Sequence, residues 1–431
     1  MPQENNKFKI ILLSVFGLLT IVGLVVFATY RSSGNKTAQV DISVWGTMDK
    51  TLFNTFVQQY NQDYAVALKV KYEEKDISTI DAELVEAIAV GSGPDVILIP
   101  QDLEKRYLDK VYQMTSIPVR TVQDTYIQEA ELYLQASGTF ALPFAVDPMV
   151  MYWNKDLFSS AGIANPPKTW AEFPLLVGEL TKSDSNANIK QSLASLGEYR
   201  NINNAKELIS TLIMQAGSSI VEGDAYGNYK STLYSSVSGQ SMVPAVSAMN
   251  FYTEYANPKK TVYSWNRSLP SSKQFFLAEN LALYFGFASE YNDIKQKNPN
   301  LNFDVAMMPQ TVDAKNKVTF GRMYGFSLMK SSPNIVQAYQ MISLLTGKQA
   351  ATVFAKVSDF APVRRDLISE GTKDSVKTIF YSSALISRAW LDPDMVKTDA
   401  IFKNMVENIT TGRSDAGGAV QDASGEIDNL L

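Results

Sequence analysis

The chain has 431 residues, 45% of them apolar and 19% charged, with a formal net charge of −5 at pH 7. That length and composition allow two sizeable buried cores, and the slight negative charge argues against a nucleic-acid binder, whose footprint is a basic face. The absence of histidine and cysteine removes the Ser-His-Asp triad, the commonest zinc ligand, thiol catalysis, disulfides and a lipidated N-terminal cysteine, and with no recognisable metal-ligand motif no metal or cofactor is expected.

From Ile10 to Tyr30 roughly 21 residues run without a charge, about 31 Å as a helix at 1.5 Å per residue, which matches a hydrocarbon core. Lys7 and Lys9 precede the run and Arg31 and Lys36 follow it, so the large polar remainder, more than the flanking charges, orients the C-terminus outward. The alternative is a cleaved signal peptide, but the run is long for one and no A-x-A site follows it. The expectation is a single-pass anchor in the cell membrane: residues 1–9 cytoplasmic, 10–30 spanning, 31–39 a polar tether, the remainder outside.

After the tether, Val40, Ile42 and Val44 alternate as a strand; Leu52, Phe53, Phe56, Val57 and Tyr60 recur at helical spacing; Val66, Leu68, Val70 and Tyr72 alternate again. A helix carrying Ile80, Leu84, Val85 and Ile88 is broken by Gly91-Ser92-Gly93-Pro94, and Val96 to Ile99 reads as a strand buried on both faces. This βαβ pattern starts a parallel sheet, so a ligand would lie beyond the strand ends, at Trp45–Lys50, Glu73–Asp76 and Pro100–Asp102. Trp45, Asp49 and Lys50 together offer an aromatic face, a carboxylate and an ammonium, which suits a polyhydroxylated ring. Asp49 also suits the cap of the helix after it, and both roles stand open.

Ala141–Phe144 and Met149–Trp153 read as two short strands separated by a bend at Ala145-Val146-Asp147-Pro148, because proline cannot donate to a ladder. A helix over Asp156–Ala161 stops at Gly162, Pro166-Pro167 forces extended chain, and Thr169 and Glu172 stand in capping-box spacing before Phe173 and Leu176. Leu208, Leu212 and Ile213 lie on a buried helix ending at Gly217, Asp224, Gly227 and Asn228 mark a turn, and Leu281–Phe287 reads as a strand. Pro333 opens a helix carrying Val336, Tyr339, Ile342 and Leu345, and Ile401, Met405 and Ile409 belong to the last helices.

The run PFAVD, YWNKDLF, AGI and PPKTW-x-EF, Pro143 to Phe173, resembles the passage between lobes in bacterial extracellular solute-binding proteins of the maltodextrin-binding type. Gly321–Ser327 followed by Ser331-Ser332-Pro333-Asn334 is similar to that family's return into its first lobe. The resemblance covers nearly everything after Val40. It implies an α/β, two-lobed periplasmic-binding-protein-like (type II) fold with three hinge crossings, near Ala145, Val305 and Pro362, preceded here by the N-terminal transmembrane helix. Lobe one would comprise 40–145 and 310–362, and lobe two 146–309 and 363–431.

The same resemblance implies the site. Asp49 and Lys50 fall where maltodextrin binders place an Asp-Lys sugar clamp, Asp102 keeps the acidic position after the third strand, and Asp147 takes the acidic hinge position, unless it only caps the bend. Arg322 and Tyr324 would sit on a loop before a strand from Phe326, facing the cleft. Trp265 would supply the second lobe's aromatic face, Trp153 and Trp170 would pack, and Trp390 is open between the two. Relatives carry a stacking Trp and an Asp-Arg pair where this chain has Ile99 and Asp102-Leu103. The implied activity is a non-enzymatic, monomeric receptor that closes on a saccharide and delivers it to the permease subunits of an ABC importer. The alternatives are another solute (a polyamine, phosphorylated polyol or peptide) and a glycosidase using Asp49 and Asp147.

Overall fold

The computed structural model describes residues 41–136, 138–224, 228–236 and 242–431. The predicted anchor at 10–30, the tether at 31–39 and Gly227 lie outside them. Among the described residues no helix is long and apolar enough to cross a membrane.

The first half is built as the periodicity predicts: β1 (Ile42–Gly46), α1 (Lys50–Tyr64), β2 (Val70–Glu74), α2 (Ile80–Ala89) and β3 (Val96–Pro100). β2 and β3 flank β1, both parallel to it. The second strand starts at Val70 and not at Val66, because the Asn61 side chain takes both the N–H and the C=O of Leu68 and Ala65 adopts the left-handed conformation at the helix end. Those backbone groups are spent on closing α1 and cannot join a ladder. At the other end of β1 only glycine fits, since a Cβ at Gly46 would lie 2.6 Å from the Leu98 carbonyl oxygen and 2.7 Å from the Tyr72 hydroxyl. This close approach fixes where the loop at Thr47–Asp49 leaves the sheet.

The predicted break at Pro148 is absent. β4 runs unbroken from Leu142 to Asn154, a 13-residue strand, and Pro148 sits where its partners change. Up to Pro148 it pairs antiparallel with β8 (Thr319–Leu328) and with β9 (Ala361–Pro362). From Met149 it pairs with β6 (Leu281–Phe287) and β7 (Phe303–Met307). A missing N–H costs little at a point where one ladder ends and another begins, and the Met149 carbonyl there accepts the Thr319 hydroxyl at 2.7 Å. Val305 lies inside β7 opposite Tyr152, so the return toward the first half follows it, between Met307 and Thr319.

The second half continues β4 through α3 (Lys155–Ser160), capped by Asn154, and α4 (Phe173–Leu180). The predicted capping box forms: Glu172 accepts from the Thr169 N–H and hydroxyl, both at 2.8 Å, on the 3-10 turn ahead of α4. Then come β5 (Ile189–Ala194), α5 (Ala205–Ala216) closed by Gly217 at φ 112, α6 (Pro244–Glu254) and α7 (Tyr291–Lys297). After β8 follow α8 (Ile335–Leu345), starting two residues beyond Pro333, α9 (Lys348–Val357), α10 (Ser375–Leu385), β10 (Ser387–Arg388), α11 (Met395–Thr410) and α12 (Ala416–Asp428). The sheet order is β2-β1-β3-β8-β4-β6-β5, with the pair Lys182–Ser183 beyond β5; β10 joins β8. β8 is antiparallel to both β3 and β4, so β4 and β8 tie two α/β lobes into one sheet.

Each lobe has an aromatic core. Phe53 stacks on Tyr72 at 4.2 Å, and Phe144 meets Phe354 at 4.5 Å and Phe326 at 5.0 Å in the first. Trp170 packs on Phe173, Phe251 and Phe285 in the second. α11 and α12 pack on each other and on α6 of that lobe.

Candidate functional site

A cavity of about 370 Å³ opens where the lobes meet. Thr47, Met48, Asp49 and Leu52 line it from the end of β1 and the start of α1, and Tyr324 from β8. Val357 to Phe360 contribute from the α9–β9 junction, and Ser289 and Asn292 from beyond β6. It lies at the carboxyl ends of the parallel strands, where the βαβ pattern puts a ligand.

Asp49 both lines this cavity and caps α1, accepting the Leu52 N–H at 2.7 Å. Lys50 is exposed at the first turn, its backbone N–H given to Glu74 at 2.8 Å. Trp45 is not among the lining residues. It is 8% exposed and packed in the core, and the Lys75 ammonium sits 3.7 Å from its ring centroid, held there by Glu83 at 2.9 Å. Its face is thus occupied from within the lobe.

Arg322 and Tyr324 lie inside β8 and not on a loop before it, because their ladder with β4 continues past Phe326 down to Gly321. Their i, i+2 spacing puts both on one face. The Gln101 side chain extends the sheet edge there, accepting the Met323 N–H at 2.7 Å and donating to the Gly321 carbonyl at 3.3 Å. Tyr324 meets Phe360 edge-on at 5.7 Å, and burial pushes its hydroxyl up to about 12. Arg322 gives Nη2 to Glu207 at 2.8 Å and lays its guanidinium 4.3 Å from the centre of the Phe287 ring. Burial opposes its charge, but Glu207 and Asp102 more than compensate and hold its pKa above the ordinary value.

Asp147 stands opposite Arg322 in the ladder and accepts the Ser289 N–H at 2.9 Å. Burial raises its carboxyl to about 7, against the pull of Ser289 and Arg322. Asp102 is buried too, its Oδ1 without a hydrogen-bond partner among the described residues, and burial raises it against Arg322 and Lys206. Lys206, at the start of α5, reaches Asp392 at 2.7 Å and the Thr398 hydroxyl at 3.2 Å.

Asp102, Asp147, Arg322 and Tyr324 are therefore brought into one interlobe network, and Asp49 and Tyr324 onto the cavity. Trp265 is not. It is fully buried, packs edge-on to Phe275 at 5.6 Å and donates its indole N–H to Asn201 at 3.1 Å. Trp390 is likewise core, parallel to Phe402 at 6.1 Å, and Trp170 is buried with its N–H on Gln215 at 2.6 Å. Sequence reasoning missed Lys206, Glu207, Asp392, Phe287 and Ser289. The signal for the first two was present: adjacent charges open the otherwise apolar helix that ends at Gly217, and buried charges need partners.

An α/β chain of two lobes, joined by shared strands and enclosing a cavity between them, has the form of a two-lobed binding protein. The chain belongs to the bacterial extracellular solute-binding protein family, whose profile matches residues 55–378. Among its relatives, a binding protein of Brucella abortus (strain 2308) is 25% identical over 307 residues, 68% of each chain. A maltooligosaccharide ABC transporter solute-binding lipoprotein of Streptococcus pneumoniae (strain ATCC BAA-255 / R6) is 21% identical over 429 residues, 95% of each. In fold, the chain is similar to a cyclo/maltodextrin-binding protein solved with maltotetraose, at TM-score 0.71 and 16% identity, over 90% of this chain and 96% of that one.

Proposed function

We propose that this solute-binding protein is a membrane-tethered receptor outside the cytoplasm that takes a saccharide into the interlobe cavity, closes on it by hinge rotation and hands it to the permease of an ABC importer. The observation that carries this reading is the cavity itself. It is lined from both lobes, is joined to the buried charges through Ser289, whose N–H Asp147 accepts, and mixes carboxylate and amide groups with the Tyr324 and Phe360 rings. Hydroxyl-rich neutral rings need that mixture: acceptors and donors for their hydroxyls, and apolar faces for their C–H groups. The maltooligosaccharide and maltotetraose named for the relatives point the same way. The tether rests on the charge-free run at 10–30.

Calorimetric titration of the full chain in detergent with mono- and oligosaccharides, polyamines and peptides tests the ligand class. Tight binding of a polyamine or peptide while every sugar fails would overturn it. Intact mass of the membrane fraction tests the tether: retention of the N-terminal residues is expected, and a released chain starting near Gln39 would show cleavage.

A further inference from the structure

One wall of the cavity is the segment Val357 to Phe360. It follows α9, which packs on α1, so it is first-lobe chain. It is nevertheless held from the second lobe at two points. Asn292 of α7 donates Nδ2 to Asp359 Oδ2 at 2.6 Å, and both residues line the cavity. Lys377 of α10, a helix packed on β7 and β4, donates Nζ to the carbonyls of Ala355 at 2.6 Å, Ser358 at 3.0 Å and Lys356 at 3.3 Å. These are carbonyls at the end of α9, where the helix leaves acceptors without intrahelical partners and where its dipole favours a cation.

We propose that Asn292 and Asp359 form an interlobe latch, anchored by Lys377, that keeps this wall against the second lobe and sets how fast the cavity opens. Residues 357–360 belong by sequence to the lobe carrying α9, so hinge opening has to part Asp359 from Asn292. The titratable and charged groups facing Asp359 are Lys377, Asp374 ahead of α10, Tyr291 of α7 and Tyr152 of β4. Lys377 is the cation among them. With one carboxylate and two phenols already facing Asp359, a neutral donor at 292 holds it where a further carboxylate would repel it. The cavity's role as a ligand site rests on the reading above; the latch itself does not need the ligand's identity.

The test is amide hydrogen exchange over residues 355–362 in the full chain without ligand. Asn292→Asp should speed exchange there at least tenfold, and adding Asp359→Asn, which restores one donor and one acceptor with the roles reversed, should return it to the wild-type rate. Lys377→Met should speed it as well, and if Asn292→Asp does not accumulate, Asn292→Ala is measured with the same expectation. For any sugar the chain binds, dissociation should follow the same order. Unchanged exchange in the single variants, or no recovery in the double exchange, overturns the latch. Failure of every sugar with the exchange pattern intact sinks the saccharide reading and leaves the latch standing.

Discussion

Arg322 and Asp147 face each other across the ladder between β8 and β4, yet each spends its hydrogen bonds elsewhere: Arg322 on Glu207 of α5, and Asp147 on the backbone of Ser289. Two neighbouring positions of the shared strands are thus fastened to different second-lobe elements. The pair works as a crossing of two ties, and hinge rotation would have to respect both.

Removing Glu207 should therefore cost stability. Arg322 is 27% exposed and Glu207 12%, so Glu207→Ala leaves a largely buried guanidinium without its carboxylate. A loss of about 1.5 to 3 kcal/mol is expected, the range for hydrogen bonds to charged groups. Urea unfolding midpoints at unchanged m-value measure it, and a change below about 0.5 kcal/mol would show that the pair is not a structural tie.

Glu129 gives a pH signature. It is 2% exposed, neither carboxylate oxygen has a hydrogen-bond partner among the described residues, and burial raises its carboxyl to about 8, against the pull of Arg388. A raised carboxyl keeps its proton in the folded chain while the unfolded chain has lost it. Its contribution is therefore full below about pH 4 and disappears as pH rises to about 8, at about 1.4 kcal/mol per pH unit. Glu129→Gln should flatten the fall in unfolding free energy between pH 5 and 8 by about that slope. Parallel pH profiles for the two proteins would contradict it.

Trp265 should matter to the fold and not to ligand. Trp265→Phe keeps most of the ring volume but leaves Asn201 without its indole donor, a cost of about 1 to 3 kcal/mol. Thermal unfolding should shift down while the dissociation constant for any sugar the chain binds stays within about twofold. A tenfold weaker affinity at unchanged stability would place the ring in the site after all.

Asp147 should behave in the opposite way. Asp147→Asn preserves shape and removes an acceptor that can ionise near pH 7. Asp147 reaches the cavity through Ser289, which lines it and whose N–H it accepts. A hydrogen bond to an ionised acceptor is worth about 1.5 to 3 kcal/mol, so sugar affinity should fall at least tenfold at pH 8. Calorimetry of wild type and variant checks it, and equal affinities would remove Asp147 from the site.

Hinge closure has its own observable. With β4 and β8 carrying the sheet from lobe to lobe, saturating ligand should reduce the radius of gyration in solution scattering. Identical dimensions with and without ligand would contradict a closing receptor.

Much of the fold was written in local pattern. The alternation at Ile42–Val44, the helical spacing of Phe53, Phe56 and Tyr60, the two-sided burial of Val96–Ile99 and the Thr169–Glu172 box all appear in the structure. Such signals depend only on which neighbours three or four positions away must be buried or capped. Tertiary contact decided the rest. Pro148 reads as a strand breaker in isolation, and only the change of partners from β8 to β6 and β7 makes room for it inside β4. A tryptophan looks the same in sequence whether its face meets ligand or core, so the engagement of Trp45 by Lys75 and of Trp265 by Asn201 could not be read there. The charges of Lys206 and Glu207 were visible on an apolar helix, but their partners, Asp392 and Arg322, lie 186 and 115 residues away. Which distant charges neutralise one another is set by packing, because the low dielectric of a buried site binds each charge to whichever opposite charge the fold brings within reach.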